Sequence, residues 1–455
     1  MLRAQRRTGF WLLLMLLLGL IAVRYAFQID IPKFLFAIIV LCMALVGDKS
    51  EIIAVCICCI PLHESIDLFY SVVFAVGAYV IKYFRQLRIG VSIALILSMI
   101  AWELLHCLRS EFSPVAFLTS VIPLVVLAVM MYSDLSDLDY PFVVRAFSAA
   151  TLGICLTLLV KVLYLSGFNI LSAIAGLQRL GVDTNEANQS VTIEGGQVNP
   201  NTLGIISVLA VTGLMQIRHK NQGRKTDIVI ACVLMVFGAL TASRTYLACL
   251  ALMVVLLIFA QEGSLNRKLR FLGMILVLAA AALGLLYLLF PELLTYYIGR
   301  FFVRDITTGR MELMELYHDF IVSRPWVLLF GIGLKDYGAT LVEVYRIAWV
   351  VPHNCIQEII IAWGVPGLLF FAALFACMYH AAGLSRRPLR LINAIPLLII
   401  LFKGMAGQLL TSPYTMLALS VVYLSLHADL RPSIFPRTGS PSGCDIKYKR
   451  RNTNQ

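Results

Sequence analysis

The chain has 455 residues, of which 60% are hydrophobic and only 14% are charged, and its formal net charge is +12. Its mean hydropathy is +0.87. Soluble domains are about half apolar with about a quarter of their residues charged, so this composition excludes an ordinary soluble protein. Apolar runs approach the thickness of a bilayer core, and they lack the alternating pattern of a membrane barrel. We therefore predict an all-α, polytopic helical membrane protein.

The apolar runs predict about fourteen transmembrane helices. In chain order the predicted spans are 9–23, 32–46, 52–62, 68–83, 89–105, 115–132, 142–165, 201–217, 226–242, 245–260, 271–290, 356–381, 391–410 and 414–428. The first run follows three arginines and could be a secretory signal, but no small-residue cleavage site follows it, so we interpret it as a helix. The span 52–62 is short, and it could be tilted, partial or merged with a neighbour.

Basic residues place both termini on the inner side of the membrane. With an inner N-terminus, every cluster of Lys and Arg in the short loops falls on the same side, as the positive-inside rule requires. These clusters lie at 82–88, 218–225, 267–270, 386–390 and 447–451. The acidic loop 133–140 fits this side poorly, but Asp and Glu contribute little to the rule. The positive charge therefore indicates topology and contact with anionic membrane lipids, and we expect no nucleic-acid partner.

The spans organise the chain into one predicted transmembrane domain, residues 1–430. Within it, residues 291–355 form a long outer loop that contains amphipathic helices, called the long loop below. A second outer loop covers about 166–200, and the basic tail 431–455 is expected to be disordered on the inner face. Most of the 11 cysteines lie inside apolar helices without the spacing of a zinc site. We predict no metal site and no cofactor.

Seven basic residues break the charge rule, because they fall in or beside the outer loops. They are Arg244, Arg300, Arg304, Arg310, Arg324, Lys335 and Arg346. A fork of guanidinium N–H donors suits a diphosphate or a carboxylate, so anion binding is one explanation. The alternative is that these residues pair with acidic residues of a solvated loop.

Four outward-facing helix starts carry polar residues that could bind an anion together. Asn199-Pro200-Asn201 and Ser243-Arg244 each open a predicted span, with Ser243 as a candidate N-cap. His353-Asn354 opens the span at 356, where Asn354 and Gln357 have the spacing of a capping box. Free backbone N–H groups beside an arginine make a phosphate site, so we predict that these starts converge on one anionic group.

The fourth helix start is Arg310, which opens the amphipathic stretch 309–321. One face of this stretch is predicted to be polar, with Thr308, Glu312, Glu315 and Asp319. The other face is predicted to carry Met311, Met314, Tyr317 and Phe320.

His353 is the candidate general base. A helix N-terminus favours neutral imidazole, and only the neutral form can accept a proton. The alternative is that His353 is an amphipathic anchor at the membrane interface.

Gly331-x-Gly333 lacks the context of a nucleotide loop and indicates a backbone bend. Three ionisable residues lie in or near helices and could be functional, snorkelling or mutually paired. They are Glu103, Lys161 and Lys403.

The stretches TTGRMELMELYHDFIVSRPWVLLFGIGL and PHNCIQEIIIAWGVPGLLFF together resemble the signature region of the O-antigen ligase and O-antigen polymerase superfamily. Upstream, LTASRTYLACLAL resembles the superfamily's Ser-Arg helix start, and VNPNTLGIISVLA resembles its Asn-Pro-Asn helix. The superfamily often has Trp where this chain has Met314.

The resemblance implies a metal-independent, inverting glycosyltransferase in the bacterial plasma (inner) membrane, with its active site on the periplasmic or extracellular side. Its donor would be an undecaprenyl-diphosphate-linked glycan, and its acceptor a glycan or lipid A core. The long loop would be the catalytic loop. Arg244 and Arg310 would hold the diphosphate, and His353 would activate the acceptor hydroxyl. We expect the remaining outer residues to bind the diphosphate or glycan, namely Arg300, Arg304, Asn199, Asn201, Tyr317, Lys335, Arg346 and Asn354.

The resemblance does not separate two reactions. A polymerase joins lipid-linked repeat units and could work with a chain-length regulator, whereas a ligase transfers the finished glycan to lipid A core or a protein. Polymerase is our preferred interpretation. A lipid-linked-sugar transporter is a third hypothesis, but a transporter should carry charged residues deep among its helices rather than at one surface.

Overall fold

The computed structural model describes most of the chain. The described residues are 2–66, 71–87, 90, 92–109, 114–169, 180, 199–261, 263–299, 310–334, 341–342, 345–346, 352–385, 389–405, 407–410 and 412–428. Their regular secondary structure is α-helical, apart from the short 3₁₀ turn Phe84–Gln86 and an isolated bridge between Leu87 and Ser133. The all-α prediction is therefore confirmed for the described part of the chain. The tail 431–455 lies outside it.

A helix occupies each of the fourteen predicted positions. The described helices are α1 (Leu2–Phe27), α2 (Lys33–Val46), α3 (Lys49–Ile66), α4 (Ser71–Tyr83), α5 (Ser92–Arg109), α6 (Pro114–Tyr132), α7 (Tyr140–Leu165), α8 (Pro200–His219), α9 (Lys225–Leu240), α10 (Arg244–Ala260), α11 (Leu265–Leu289), α12 (Pro291–Ile298), α13 (Arg310–Val322), α14 (Pro325–Phe330), α15 (Cys355–Ala381), α16 (Leu391–Met405) and α17 (Pro413–His427). Three of them, α12, α13 and α14, belong to the long loop.

Four of the described helices are long and apolar enough to cross a membrane, namely Gln5–Phe27, Tyr140–Leu165, Pro200–His219 and Cys355–Ala381. For the other ten positions a full crossing remains a prediction. The short span predicted at 52–62 is part of an 18-residue helix, α3. The span predicted at 391–410 was too long, because α16 ends at Met405.

Helix α7 lies near the centre of the bundle, where it packs against α1, α3 and α8. Helix α8 packs in turn against α9 and α10, and α10 packs against α16. Helix α15 packs against α5, α14 and α13. Helix α11 exposes large apolar side chains such as Val277 (69%) and Leu288 (77%), which is the surface expected of a helix that faces lipid.

Charged residues pair at the end of the bundle where α7 begins. Arg7 Nη2 lies 2.5 Å from Asp139 Oδ2, and Lys49 Nζ donates to the Asp134 carbonyl over 2.8 Å. Arg145 binds the carboxylate of Asp227 with two hydrogen bonds of 3.0 Å each. The Arg7–Asp139 pair places the acidic loop 133–140 beside the basic N-terminal segment, which compensates part of the loop's negative charge.

Candidate active site

The starts of α8 and α10 meet through their capping residues. Asn199 Oδ1 accepts a hydrogen bond from Asn201 N (2.9 Å), and Ser243 Oγ accepts one from Tyr246 N (3.2 Å). Ser243 Oγ also donates to Asn201 Oδ1 over 2.8 Å. The predicted N-cap at Ser243 is confirmed, and the two polar motifs are part of one hydrogen-bonded cluster. We call the end of the bundle where α8, α10 and α15 begin the site end.

Close packing and a tight turn fix this cluster. A Cβ on Gly204 would lie 2.8 Å from Tyr246 Cβ, so only glycine lets α8 and α10 approach so closely. The turn between α9 and α10 passes through Ala242, which has a positive φ of 48°. Leu180, from the second outer loop, is fully buried and donates its N–H to the Leu240 carbonyl (2.8 Å). That loop therefore contacts the turn that leads into Arg244.

Arg244 occupies the first helical position of α10 and is half-buried. A cation at a helix N-terminus opposes the helix dipole, which costs some stability unless an anion is present. The first-turn N–H groups and the guanidinium together offer donors to such an anion. Asn201, which touches the α10 cap, is also half-buried, whereas Asn199 is exposed.

His353 lies in the turn directly before α15, and hydrogen bonds of the N-cap fix this turn. Asn354 is buried, and its Oδ1 accepts from Ile356 N (2.9 Å) and Gln357 N (3.3 Å). The Gln357 side chain does not close the predicted capping box, since its Nε2 donates to the Met314 carbonyl of α13 over 2.7 Å. His353 is half-buried directly before this cap. The start of α15 is therefore tied to the helix that Arg310 opens.

Helix α13 buries most of the predicted apolar face. Its buried side chains are Leu313, Tyr317, Phe320 and Ile321, while Met311 is 54% exposed. Tyr317 and Phe320 are buried as the pattern predicts, whereas the prediction for Met311 was wrong, because the buried stripe begins at Leu313, two residues later. Helix α13 packs against α15. The side chain of Arg310 lies outside the described residues.

Tyr317 is fully buried, so its side chain is enclosed by protein instead of facing solvent. Burial raises the pKa of Tyr317 to about 12, so the phenol stays protonated at any physiological pH. This placement favours a packing role over direct contact with a glycan. The expected contact of Tyr317 with substrate stays a prediction.

Sequence analysis did not predict the buried polar cluster beneath the start of α15. Glu358 is fully buried, and its Oε2 accepts from Leu409 N (2.6 Å) and Leu410 N (3.1 Å). Lys403 Nζ donates to the Gln408 carbonyl and to Thr415 Oγ1 (2.7 Å). The only signal for this cluster in the sequence was an ionisable residue near the end of an apolar helix.

The Gly331-x-Gly333 segment docks on a break in α15. Gly364 has φ 70° inside this helix, and Pro366 has no N–H for the carbonyl four residues earlier, Ala362. Gly333 N donates to that carbonyl over 2.7 Å, and Ile332 N donates to the Ile361 carbonyl over 2.8 Å. The predicted backbone bend is confirmed, and the long loop completes the hydrogen bonding of a membrane helix.

Two of the remaining basic residues of the long loop lie within the described part of the chain. Arg324 Cζ lies 4.8 Å from the Phe320 ring centroid and 4.9 Å from that of Tyr345, so this arginine stacks on aromatic rings. Arg346 is exposed and has a positive φ of 52°. Arg300, Arg304 and Lys335 lie outside the described residues. Within the described ranges, no group of three His, Cys, Asp or Glu side chains could hold a metal ion.

Comparison with known proteins adds one relationship. No curated protein matches the chain. The family model described as O-antigen ligase matches residues 228–372. This match covers Ser243-Arg244, the long loop and the start and break of α15, but less than half of the chain. The Asn199-Pro200-Asn201 start lies outside it, although Asn201 is hydrogen-bonded into it through Ser243. The match to residues 228–372 therefore supports the resemblance to the O-antigen ligase superfamily that the sequence motifs indicate.

Proposed function

We propose that this protein is a glycosyltransferase that polymerises undecaprenyl-diphosphate-linked repeat units into a surface polysaccharide, such as an O-antigen, a capsule or an exopolysaccharide. The observation that carries the proposal is the match of residues 228–372 to the O-antigen ligase family model, because this stretch contains two capped helix starts bearing Arg244 and His353. The reaction takes place at the outer face of the plasma membrane, where the acceptor and the lipid-linked donor both reach the site end.

The chemistry assigns one role to each group. The His353 imidazole takes the proton of the acceptor hydroxyl, and the resulting oxygen attacks the anomeric carbon of the donor sugar. The bond between that carbon and the diphosphate oxygen breaks with its electron pair, and the configuration at carbon inverts. Arg244 and Arg310 stabilise the negative charge on the departing diphosphate. The guanidinium groups supply the charge that a metal supplies in other transferases, so the reaction needs no metal.

Several contacts support this assignment. The Ser243–Asn201 hydrogen bond orients the first turn of α10, on which Arg244 sits. The bond from Gln357 to Met314 ties the α15 start to α13, which begins at Arg310. Leu180 connects the second outer loop to the α9–α10 turn, which gives that loop a position from which it can shape the acceptor site.

A ligase is the second candidate, and the description of the matched family favours it. Reconstitution in proteoliposomes with lipid-linked repeat units separates the two reactions. A polymerase makes elongated, lipid-linked glycan with no other acceptor present. A ligase makes no product until lipid A core or an acceptor protein is added. Turnover that persists in both Arg310→Ala and His353→Ala would refute the assigned site, and movement of the intact lipid-linked sugar without bond formation would indicate a transporter.

A further inference from the structure

One peptide group near the site end is held between two opposite charges. The carbonyl of Gln408 and the N–H of Leu409 belong to the same peptide unit. Lys403 Nζ binds its oxygen, and Glu358 Oε2 binds its nitrogen at 2.6 Å. Hydrogen bonds to ionised partners are about twice as strong as neutral ones, and a low-dielectric setting strengthens them further. The segment between α16 and α17 is therefore fixed at this point.

The charges that hold this peptide come from two helices beneath the predicted catalytic residues. Glu358 follows His353 by five residues and is the fourth residue of α15, so it lies about one helical turn below the start of that helix. The Lys403 ammonium, at the end of α16, lies within electrostatic range of Glu358, of Cys355 on α15 and of Cys249 on α10. Cys249 follows Arg244 by five residues on α10, so the cluster lies within about two helical turns of both starts.

Close contacts confirm that α16 ends against α15. A Cβ on Gly404 would lie 3.0 Å from Cys355 Sγ, so the two helices touch next to the Asn354 cap. Thr415, which accepts from Lys403, also bonds the capping residue Ser412 at 3.0 Å and so joins the start of α17 to the cluster. Three helix ends, the start of α15, the end of α16 and the start of α17, thus meet around one peptide group.

We propose that Glu358 and Lys403 are positioning residues, which lock the 408–409 peptide and thereby hold the His353 start of α15 beside the Arg244 start of α10. Neither side chain needs to touch the substrate. The catalytic consequence of this proposal rests on the proposed function, whereas the immobilisation of the 408–409 peptide, called the lock below, can be measured without turnover. A misplacement of about 1 Å in a catalytic constellation costs about 10²-fold in rate, so the positioning is large enough to detect.

The test compares Glu358→Gln, Lys403→Met and the double variant in the full-length protein. Each single variant leaves one buried charge uncompensated, whereas the double variant leaves none. We expect kcat to fall by about 10²-fold in each single variant with KM nearly unchanged, and the double variant to recover at least part of that loss. Lys161→Met is the matched control, because this buried lysine lies on α7 over the Tyr25 ring. It should leave kcat unchanged.

Hydrogen–deuterium exchange of the Leu409 and Leu410 amides is the readout that does not depend on activity. Exchange should accelerate in Glu358→Gln and stay unchanged in Lys161→Met. If the single variants do not fold, Glu358→Asp and Lys403→Arg keep the charges and should show smaller losses in the same direction. If the fold-losses in kcat of the two single variants multiply in the double variant, the two residues act independently, and the proposal is overturned. A raised KM at unchanged kcat in Lys403→Met would also overturn it, since Lys403 would then bind substrate directly. Wild-type protein without activity, but with protected 409–410 amides, would refute the proposed function and leave the lock intact.

Discussion

Helix α15 is held at two junctions that are built from different parts of the chain. At its start, the side chains of Asn354, Gln357 and Glu358 make the contacts. At its break, the main chain of 332–333 bonds directly to the carbonyls of 361–362. Side-chain contacts can be altered one at a time without rebuilding the backbone. Main-chain contacts between glycine-rich segments cannot, so we expect mutations at the break to affect folding and mutations at the start to affect catalysis.

The largest effect is expected at the break. In Gly364→Val, a side chain would be forced into positive φ, where its Cβ would lie 2.6 Å from the Leu329 carbonyl oxygen. We expect little or no monodisperse protein by gel filtration in detergent. Gly273→Ala is the control, because a Cβ there meets nothing within 4 Å. Normal yield and melting temperature in Gly364→Val would show that the break is not structurally required.

At the start of α15, the loss should be catalytic. His353→Ala removes the proposed general base, and we expect kcat to fall by about 10²- to 10⁴-fold with an unchanged melting temperature. Proteoliposome turnover and thermal unfolding measure the two quantities. His318→Ala is the matched control, since this histidine is exposed on α13. A comparable fall in both variants would remove the special role of His353.

A smaller effect should follow from the contact between α8 and α10. Ser243→Ala removes both the N-cap and the bond to Asn201, which should lower the free energy of unfolding by about 1 kcal/mol. Activity should fall further than stability, because Arg244 is the next residue. A double-mutant cycle with Asn201→Ala should give a coupling energy of about 0.5–1.5 kcal/mol, and no coupling would indicate independent roles.

The smallest effect is expected from metal removal. Excess chelator should leave turnover of the wild-type protein unchanged, because the assigned mechanism places arginines where a metal would act. Restoration of a chelator-sensitive rate by added divalent ions would contradict that mechanism. A lipid-linked donor checked for trapped metal serves as the control.

Much of this architecture could be predicted because membrane helices follow from local apolar runs. The caps at Asn199, Ser243 and Asn354 were also predictable, since capping depends on residues adjacent in the chain. The bond from Gln357 to Met314 and the grip of Glu358 on 409–410 were not, because they join segments 43 and more than 50 residues apart. The end of α16 at Met405, before the predicted residue 410, has the same origin. The distant Glu358 carboxylate binds the N–H groups of Leu409 and Leu410, which would otherwise extend the helix.

The insertion of 331–333 into the break of α15 also sets a rule for exchanging parts between related proteins. The Ala362 carbonyl has no helical donor because Pro366 lacks an N–H, and Gly333 supplies one, so a foreign loop would have to bring matching N–H groups in the same register. A graft that replaces the long loop alone should leave that carbonyl exposed to hydrocarbon. Chimaeras should therefore fold when residues 325–333 and α15 are transplanted together. To alter substrate specificity, the junctions of the exchanged part should lie between Leu334 and Pro352.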